Sequence, residues 1–212
     1  MLEGDDADHP DRPPRWWQAV PNLVVLALAI AVIAGALGWL VGNNRALPDP
    51  NDADIGFLHD MSWHHEQARE MSFLYLQLPD TDPLMRDMAW TVLTSQSTEL
   101  GRMLQLLRDN GAPDISPSDI SMTWMGMPTP IAQMPGMASA DDIERLRRMS
   151  GVEADRFFGE LMIAHHEGGL HMMVEAQSRA ALPSVRTLAS RMQVGQLDEI
   201  SELQKVLAAL PA

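Results

Sequence analysis

The residues able to do chemistry come in matched sets. His64-His65-Glu66 recurs as His165-His166-Glu167, a shift of 101 positions, and a methionine, Met61 or Met162, precedes each histidine pair by three and four residues. Neutral imidazole suits zinc, copper, iron and nickel, whereas thioether sulfur is soft and selects Cu(I). Residues three and four apart on a helix are neighbours on its surface. Each set therefore offers one wall of a metal site, with copper favoured by the sulfur and zinc or iron as alternatives. Glu99 and Glu199 also occupy corresponding places, as further ligands or as residues that orient an imidazole.

The correspondence runs well beyond these residues. Asp54 matches Asp155, Phe57 matches Phe158, and Met71 matches Met172. With a one-residue gap, Gln96-x-x-Glu99-Leu100 matches Gln196-x-x-Glu199-Ile200. So many shared positions mark an internal duplication. Any one histidine on an apolar face could be an ordinary core residue bonded to a buried glutamate, since buried polar groups need partners. Duplication of the whole set points instead to a bound metal. The competing reading is a non-catalytic interaction module of the cell envelope. In that case an envelope protein or a second copy of the chain is the partner, and the His–Glu pairs are structural.

Other chemistries lack their residues. A zinc-protease helix needs His-Glu-x-x-His, but His65-Glu66 is followed by Arg69 and His166-Glu167 by Leu170. The Glu-x-x-His ligands of di-iron carboxylate bundles are absent from both HHE segments. No phosphate loop or nucleophile elbow occurs, so nothing beyond the ligands points to an enzyme. Zero cysteines exclude thiolate sites, disulfides and a cysteine nucleophile, and a net charge of -14 argues against a nucleic-acid partner.

Helices must carry these residues. Phe57, Met61, His64, Ala68, Met71 and Tyr75 recur at spacings of four and three, as do Phe158, Met162, His165, Gly169, Met172 and Ala176. Pro79 closes the first helix, Thr81 or Asp82 caps the next, and Pro83 opens it. That helix turns Met85, Met88, Val92, Ser95, Glu99, Met103 and Leu106 inward and stops at Asn110-Gly111. Pro183 opens the last helix, with Val185, Leu188, Met192, Glu199, Leu203 and Val206 inward. The expected domain is an all-α four-helix bundle over 52–212, made of two duplicated helix pairs, about 52–110 and 153–210. Between them a crossover, 111–151, carries Met122, Met125, Met127, Met134 and Met137 as an exposed-looking stretch suited to copper capture. A short helix from Asp141 to Met149, capped near Ser139, follows it.

Ahead of the bundle, Leu23 to Val41 is nineteen residues without a charge. At helical rise this spans about 28 Å, close to a bilayer's hydrocarbon core. Trp16, Trp17 and Trp39 flank it as interfacial anchors. The expected layout is a disordered cytoplasmic tail, 1–19, a transmembrane helix, 20–41, and a linker, 42–51. Arg12 and Arg15 precede the span and Arg45 follows it, which places the N-terminus in the cytoplasm and the bundle outside the membrane. Gly38-Trp39-Leu40-Val41-Gly42 is a poor cleavage site, favouring an uncleaved anchor over a signal peptide.

The run MPGMASADDIERLRRMSGVEADRFFGELMIAHHEGGLHMM resembles the bacterial family catalogued as domain of unknown function number 305. The features that carry the resemblance are the Met-rich lead-in, Asp-x-x-Phe, Met-Ile-x-His-His-x-Gly and the later Gln-x-x-Glu-Ile, and it covers about 52–210. It implies a ferritin-like four-helix bundle, usually exported or membrane-anchored, with copper binding and copper tolerance among some relatives. The first half departs from the pattern. Ser62-Trp63 replaces the Met-Ile context, and Glu70 stands where His171 stands later, so the halves need not bind metal equally. Ferritin-like does not mean ferroxidase here, because the di-iron ligands do not carry over.

Overall fold

The computed structural model describes residues 20–43 and 48–211. The chain divides into two compact units, Met1–Leu47 and Pro48–Ala212. In the first, α1 (Val20–Asn43) is apolar round its whole circumference and is long enough to cross a membrane. Gly42 and Asn43 continue this helix, two residues into the segment read from sequence as linker. The tail 1–19, with Arg12, Arg15, Trp16 and Trp17, lies outside the described residues, as does Arg45.

The second unit is all-helical apart from one small ribbon. Its long helices are α2 (Asp52–Tyr75), α3 (Pro83–Asp109), α5 (Gly151–Arg179) and α6 (Pro183–Ala209), with the short α4 (Ala140–Arg147) in the crossover. Local chemistry sets their ends. Asn51 caps α2 in a capping box with Asp54, and Asp82 caps α3 through the amides of Leu84 and Met85, with Pro83 at the first helical position. At the far end of α3, Gly111 adopts φ +70. The Ala112 and Gly111 amides then bond the Leu107 and Arg108 carbonyls, which closes the helix in a Schellman turn. Ser139 and Asp142 form a second capping box on α4.

Two buried aspartates fix how the pairs assemble. Asp54, on the first turn of α2, accepts from the Ala181 and Leu182 amides at 3.0 Å each, supplying the cap that the α6 N-terminus lacks in its own side chains. Asp155, its counterpart on α5, accepts from the Asp82 amide and from the Tyr75 hydroxyl. Each repeat therefore caps the helix turn of the other. The start of α2 meets the end of α5 and the reverse, so these two helices are antiparallel. With α2 up, α3 and α5 run down and α6 runs up, and one long crossover returns the chain between the pairs. This is the ferritin-like arrangement.

The inward stripe of α3 is Met85, Ala89, Val92, Gln96, Leu100, Met103 and Leu107. Met88, Ser95, Glu99 and Leu106, expected inward, are only half-buried. In α6 the centre is likewise Gln196 and Ile200, with Glu199 and Val206 at the edge. A helix at the corner of a bundle buries the wedge between its two neighbours, and those neighbours set the direction of that wedge.

The crossover also departs from expectation. Met122, Met125 and Met134 are buried and Met137 is half-buried, leaving Met127 as the exposed member of the stretch. Residues Ile120–Ser121 and Thr129–Pro130 form a two-stranded antiparallel ribbon. Asp60 on α2 accepts from the Met122 amide at 2.7 Å and from the Trp124 indole at 2.8 Å, and Trp124 lies against Gly56 and the edge of Phe57. The methionines fill the irregular gap beneath this strap, which their unbranched, flexible side chains suit.

Candidate metal centre

The apolar core is divided in two. One cluster gathers Phe57, Leu58 and Met61 with Leu100, Met172 and Met192; the other gathers Ala68, Met71 and Val92 with Phe158, Met162 and Leu203. The sequence positions between them belong to His64, His65, Gln96, His165, His166 and Gln196, all buried. Every helix of the bundle thus contributes polar side chains at one level, and together they form a polar layer across the middle of the core. Met61 and Met162 border this layer from opposite sides, one turn before their histidines.

At the centre, the His64 and His165 rings lie 3.8 Å apart between centroids, tilted by 39°. His64 Nε2 donates to the Pro135 carbonyl at 3.4 Å, leaving Nδ1 without a partner, while neither nitrogen of His165 has one. Further out, His65 Nε2 donates to Glu99 Oε2 at 2.9 Å and His166 Nε2 donates to Glu199 Oε2 at 2.7 Å. A carboxylate only accepts, so each Nε2 carries a proton, while each Nδ1 is buried without a partner. Ser95 on α3 donates to the other oxygen of Glu199 at 3.0 Å. Glu99 and Glu199 thus hold imidazoles in one tautomer, as carboxylates behind metal-bound histidines do.

Burial keeps the central pair neutral. Desolvation, then the neighbouring His65 and His166, pull the His64 pKa down to about 3 against the weak pull of the Pro135 carbonyl. His165 is lowered well below its ordinary value by desolvation, then by His64, His166 and His65; the His64 carbonyl, too poorly placed to form a hydrogen bond, opposes this slightly. Neutral imidazoles are the form that binds metals.

The crossover closes over this pair. A Cβ on Gly136, which sits at φ +83, would lie 2.7 Å from the carbonyls of Ala164 and His165, and one on Gly168 would collide with the Pro135 carbonyl. Backbone rests directly on backbone, and glycine at both positions permits it. Sequence reasoning passed over Pro135, Gly136 and Gly168, although the MPGM and HHEGG strings are the visible trace of this contact. His59 and His171 lie elsewhere, His59 bonded to the Pro113 carbonyl and His171 exposed beside Glu175.

Among the described residues, no group of three or more His, Cys, Asp or Glu side chains stands close enough together to hold a metal ion. The donor chemistry nevertheless fits a soft or borderline ion. Five imidazole nitrogens of four buried histidines have no other partner, and uncompensated burial costs about 1–3 kcal/mol per polar group.

Comparison with known proteins matches this architecture. The family model described as a domain of unknown function, DUF305, matches residues 54–207. A DUF305 protein from Streptomyces coelicolor, described as secreted, superposes with a TM-score of 0.67 at 35% identity, covering 74% of this chain and 93% of that one. A DUF305 fragment from Deinococcus radiodurans gives 0.66 at 29% identity, over 77% and 100%. CopM in its Cu(I)-bound form gives 0.54 at 22% identity, over 74% and 96%, and structures of its Cu(II)- and Ag-bound forms are similar to this chain as well. At that identity the likeness to CopM is one of fold. No match is found among curated proteins.

Proposed function

We propose that this chain, which belongs to the DUF305 family, is a membrane-anchored metal-binding protein that holds copper in the polar layer of its bundle, without turnover. The observation that carries the reading is the set of buried imidazole nitrogens at His64, His65, His165 and His166 that have no other partner. His64 and His165 are the central ligands, His65 and His166 present Nδ1 from positions held by Glu99 and Glu199, and Met61 and Met162 supply soft sulfur from the two bordering turns. Copper is favoured over zinc or iron by these thioethers, and CopM, of the same fold, has structures in Cu(I)-, Cu(II)- and Ag-bound forms. The apolar α1 suits a single-pass anchor in the cytoplasmic membrane, with the bundle on the outer side.

The test uses the full chain in detergent, without a histidine tag, titrated separately with Cu(I), Cu(II), Zn(II) and Fe(II) under chelator competition. Stoichiometric copper binding with a rise in Tm is expected, because a ligand at a hundred times its Kd stabilises the native state by about 2.7 kcal/mol. In His64→Leu/His165→Leu, binding is lost while helicity is kept. The metal-free Tm separates ligand from scaffold. Replacing these buried imidazoles, three of whose four nitrogens lack a partner, by leucines of similar volume leaves Tm unchanged or higher, whereas a structural network would lose stability. Binding of no metal by the native chain moves the assignment to the interaction module.

A further inference from the structure

Gln96 and Gln196 enter the polar layer from α3 and α6, and neither has a role in the scaffold. They are 1% and 2% exposed, and the amide oxygen and nitrogen of each are buried without a hydrogen-bond partner. An amide offers one acceptor and two N–H donors, so both residues carry full polar capacity into the core and use none of it there. Each stands three residues before the glutamate that holds an imidazole of its own repeat, Glu99 on His65 and Glu199 on His166. At that spacing the amide and the orienting carboxylate are neighbours on one helix face.

The oxygen of Gln196 lies against the α5 backbone at Gly169, where the His64 ring edge also rests. A Cβ on Gly169 would lie 3.1 Å from His64 Cε1 and 3.3 Å from both Gln196 Oε1 and Met173 Cε. An imidazole edge from α2 and an amide oxygen from α6 therefore meet at one point of the α5 backbone, beside the methyl of Met173 on α5 itself. The corresponding position in the first repeat is Ala68, which has the Cβ that Gly169 lacks.

We propose that Gln96 and Gln196 are ion-facing residues of this centre, and that their amide oxygens let it hold Cu(II) as well as the Cu(I) that the thioethers favour. The inference rests on the copper reading above. Thioether sulfur selects Cu(I), whereas mixed nitrogen and oxygen donors suit Cu(II). Both carboxylates are engaged by His65 and His166, whereas the amide oxygens are buried at this level with no partner at all.

The experiment compares the full chain in detergent with Gln96→Leu/Gln196→Leu and with Gln196→Met, which keeps side-chain length and exchanges the amide for a thioether. Cu(I) affinity is measured anaerobically and Cu(II) affinity aerobically, with the paramagnetic resonance spectrum of bound Cu(II) and the metal-free Tm recorded for each. The double variant is expected to lose at least tenfold in Cu(II) affinity, with Cu(I) affinity changed less than threefold. Its residual Cu(II) spectrum shifts, and its metal-free Tm is unchanged or higher. Gln196→Met moves the preference further towards Cu(I). Unchanged Cu(II) affinity and spectrum overturn the inference, as does an equal loss for both ions with a lowered Tm, which marks the amides as packing alone. Failure of the native chain to bind either copper ion overturns the copper reading itself, an outcome distinct from a native chain that binds both ions with a preference the variants do not move.

Discussion

His64 and His165, 101 positions apart in the chain, bring their imidazoles to 3.8 Å between centroids at the middle of the bundle. They are equivalent residues of the two repeats, so the duplication brings one residue type to the place where its own copies meet. Two neutral rings pressed together in this way, with three of their four nitrogens unpartnered, form a poor structural network, which is what the copper proposal builds on.

The carboxylates behind the outer histidines have a measurable task. Removing Glu99 or Glu199 leaves an Nε2–H without its acceptor and frees the imidazole to turn. Glu99→Ala and Glu199→Ala are each expected to weaken copper binding by about 10- to 100-fold without lowering stoichiometry. Chelator competition reads the affinity, and a drop in stoichiometry would make the glutamates ligands in their own right.

Acid destabilises this bundle through its central rings. In the unfolded chain a histidine titrates near 6.5, whereas native His64 stays neutral down to about 3. Between those values the unfolded state binds a proton that the native state does not, so stability falls as pH drops, by about 1.4 kcal/mol per unit for each such ring. His165, lowered in the same direction, adds to the slope. Asp60, raised mainly by burial, works the other way just above its ordinary range. Urea midpoints of the metal-free protein from pH 7 to pH 4 should show the decline, and His64→Leu/His165→Leu should flatten it.

The contact between strap and helix predicts a steric effect. Gly168→Ala pushes a methyl against the Pro135 carbonyl, and either the strap or α5 must move. A loss of about 1–3 kcal/mol is expected from overpacking. Because Pro135 also accepts from His64, faster copper uptake should accompany it. Denaturant melts and stopped-flow loading check the two effects; normal stability would mean that the strap is not held as described.

Reciprocal capping gives a paired result. Asp54→Ala strips acceptors from the Ala181 and Leu182 amides, and Asp155→Ala strips them from Asp82 and Tyr75. Each should cost about 1–3 kcal/mol through buried donors left unpaired. Hydrogen exchange should locate the second loss at the α2–α3 turn, in the opposite repeat, and the first both at the α5–α6 turn and at the start of α2, where Asp54 also accepts from the Asn51 amide.

By itself the sequence determined the helices, their ends and the duplication. Apolar spacing, the cap at Asp82, proline at 83 and 183 and the Asn110-Gly111 stop all act within a few residues of where they stand, so local reading suffices for them. The histidines on the α2 and α5 stripes were legible for the same reason. What lies between elements was decided by tertiary structure. The centre of α3 is Gln96, with Glu99 at its edge, because α2 and α6 together define the buried wedge. The crossover methionines look exposed in a polar, glycine- and proline-rich stretch, yet Asp60 and Gly56 on α2 draw Met122 and Trp124 down onto the bundle. Antiparallel packing of α2 on α5, with Asp54 and Asp155 capping across repeats, leaves no periodic trace in either repeat, because the contact energy resides in pairs of residues more than a hundred or some seventy positions apart.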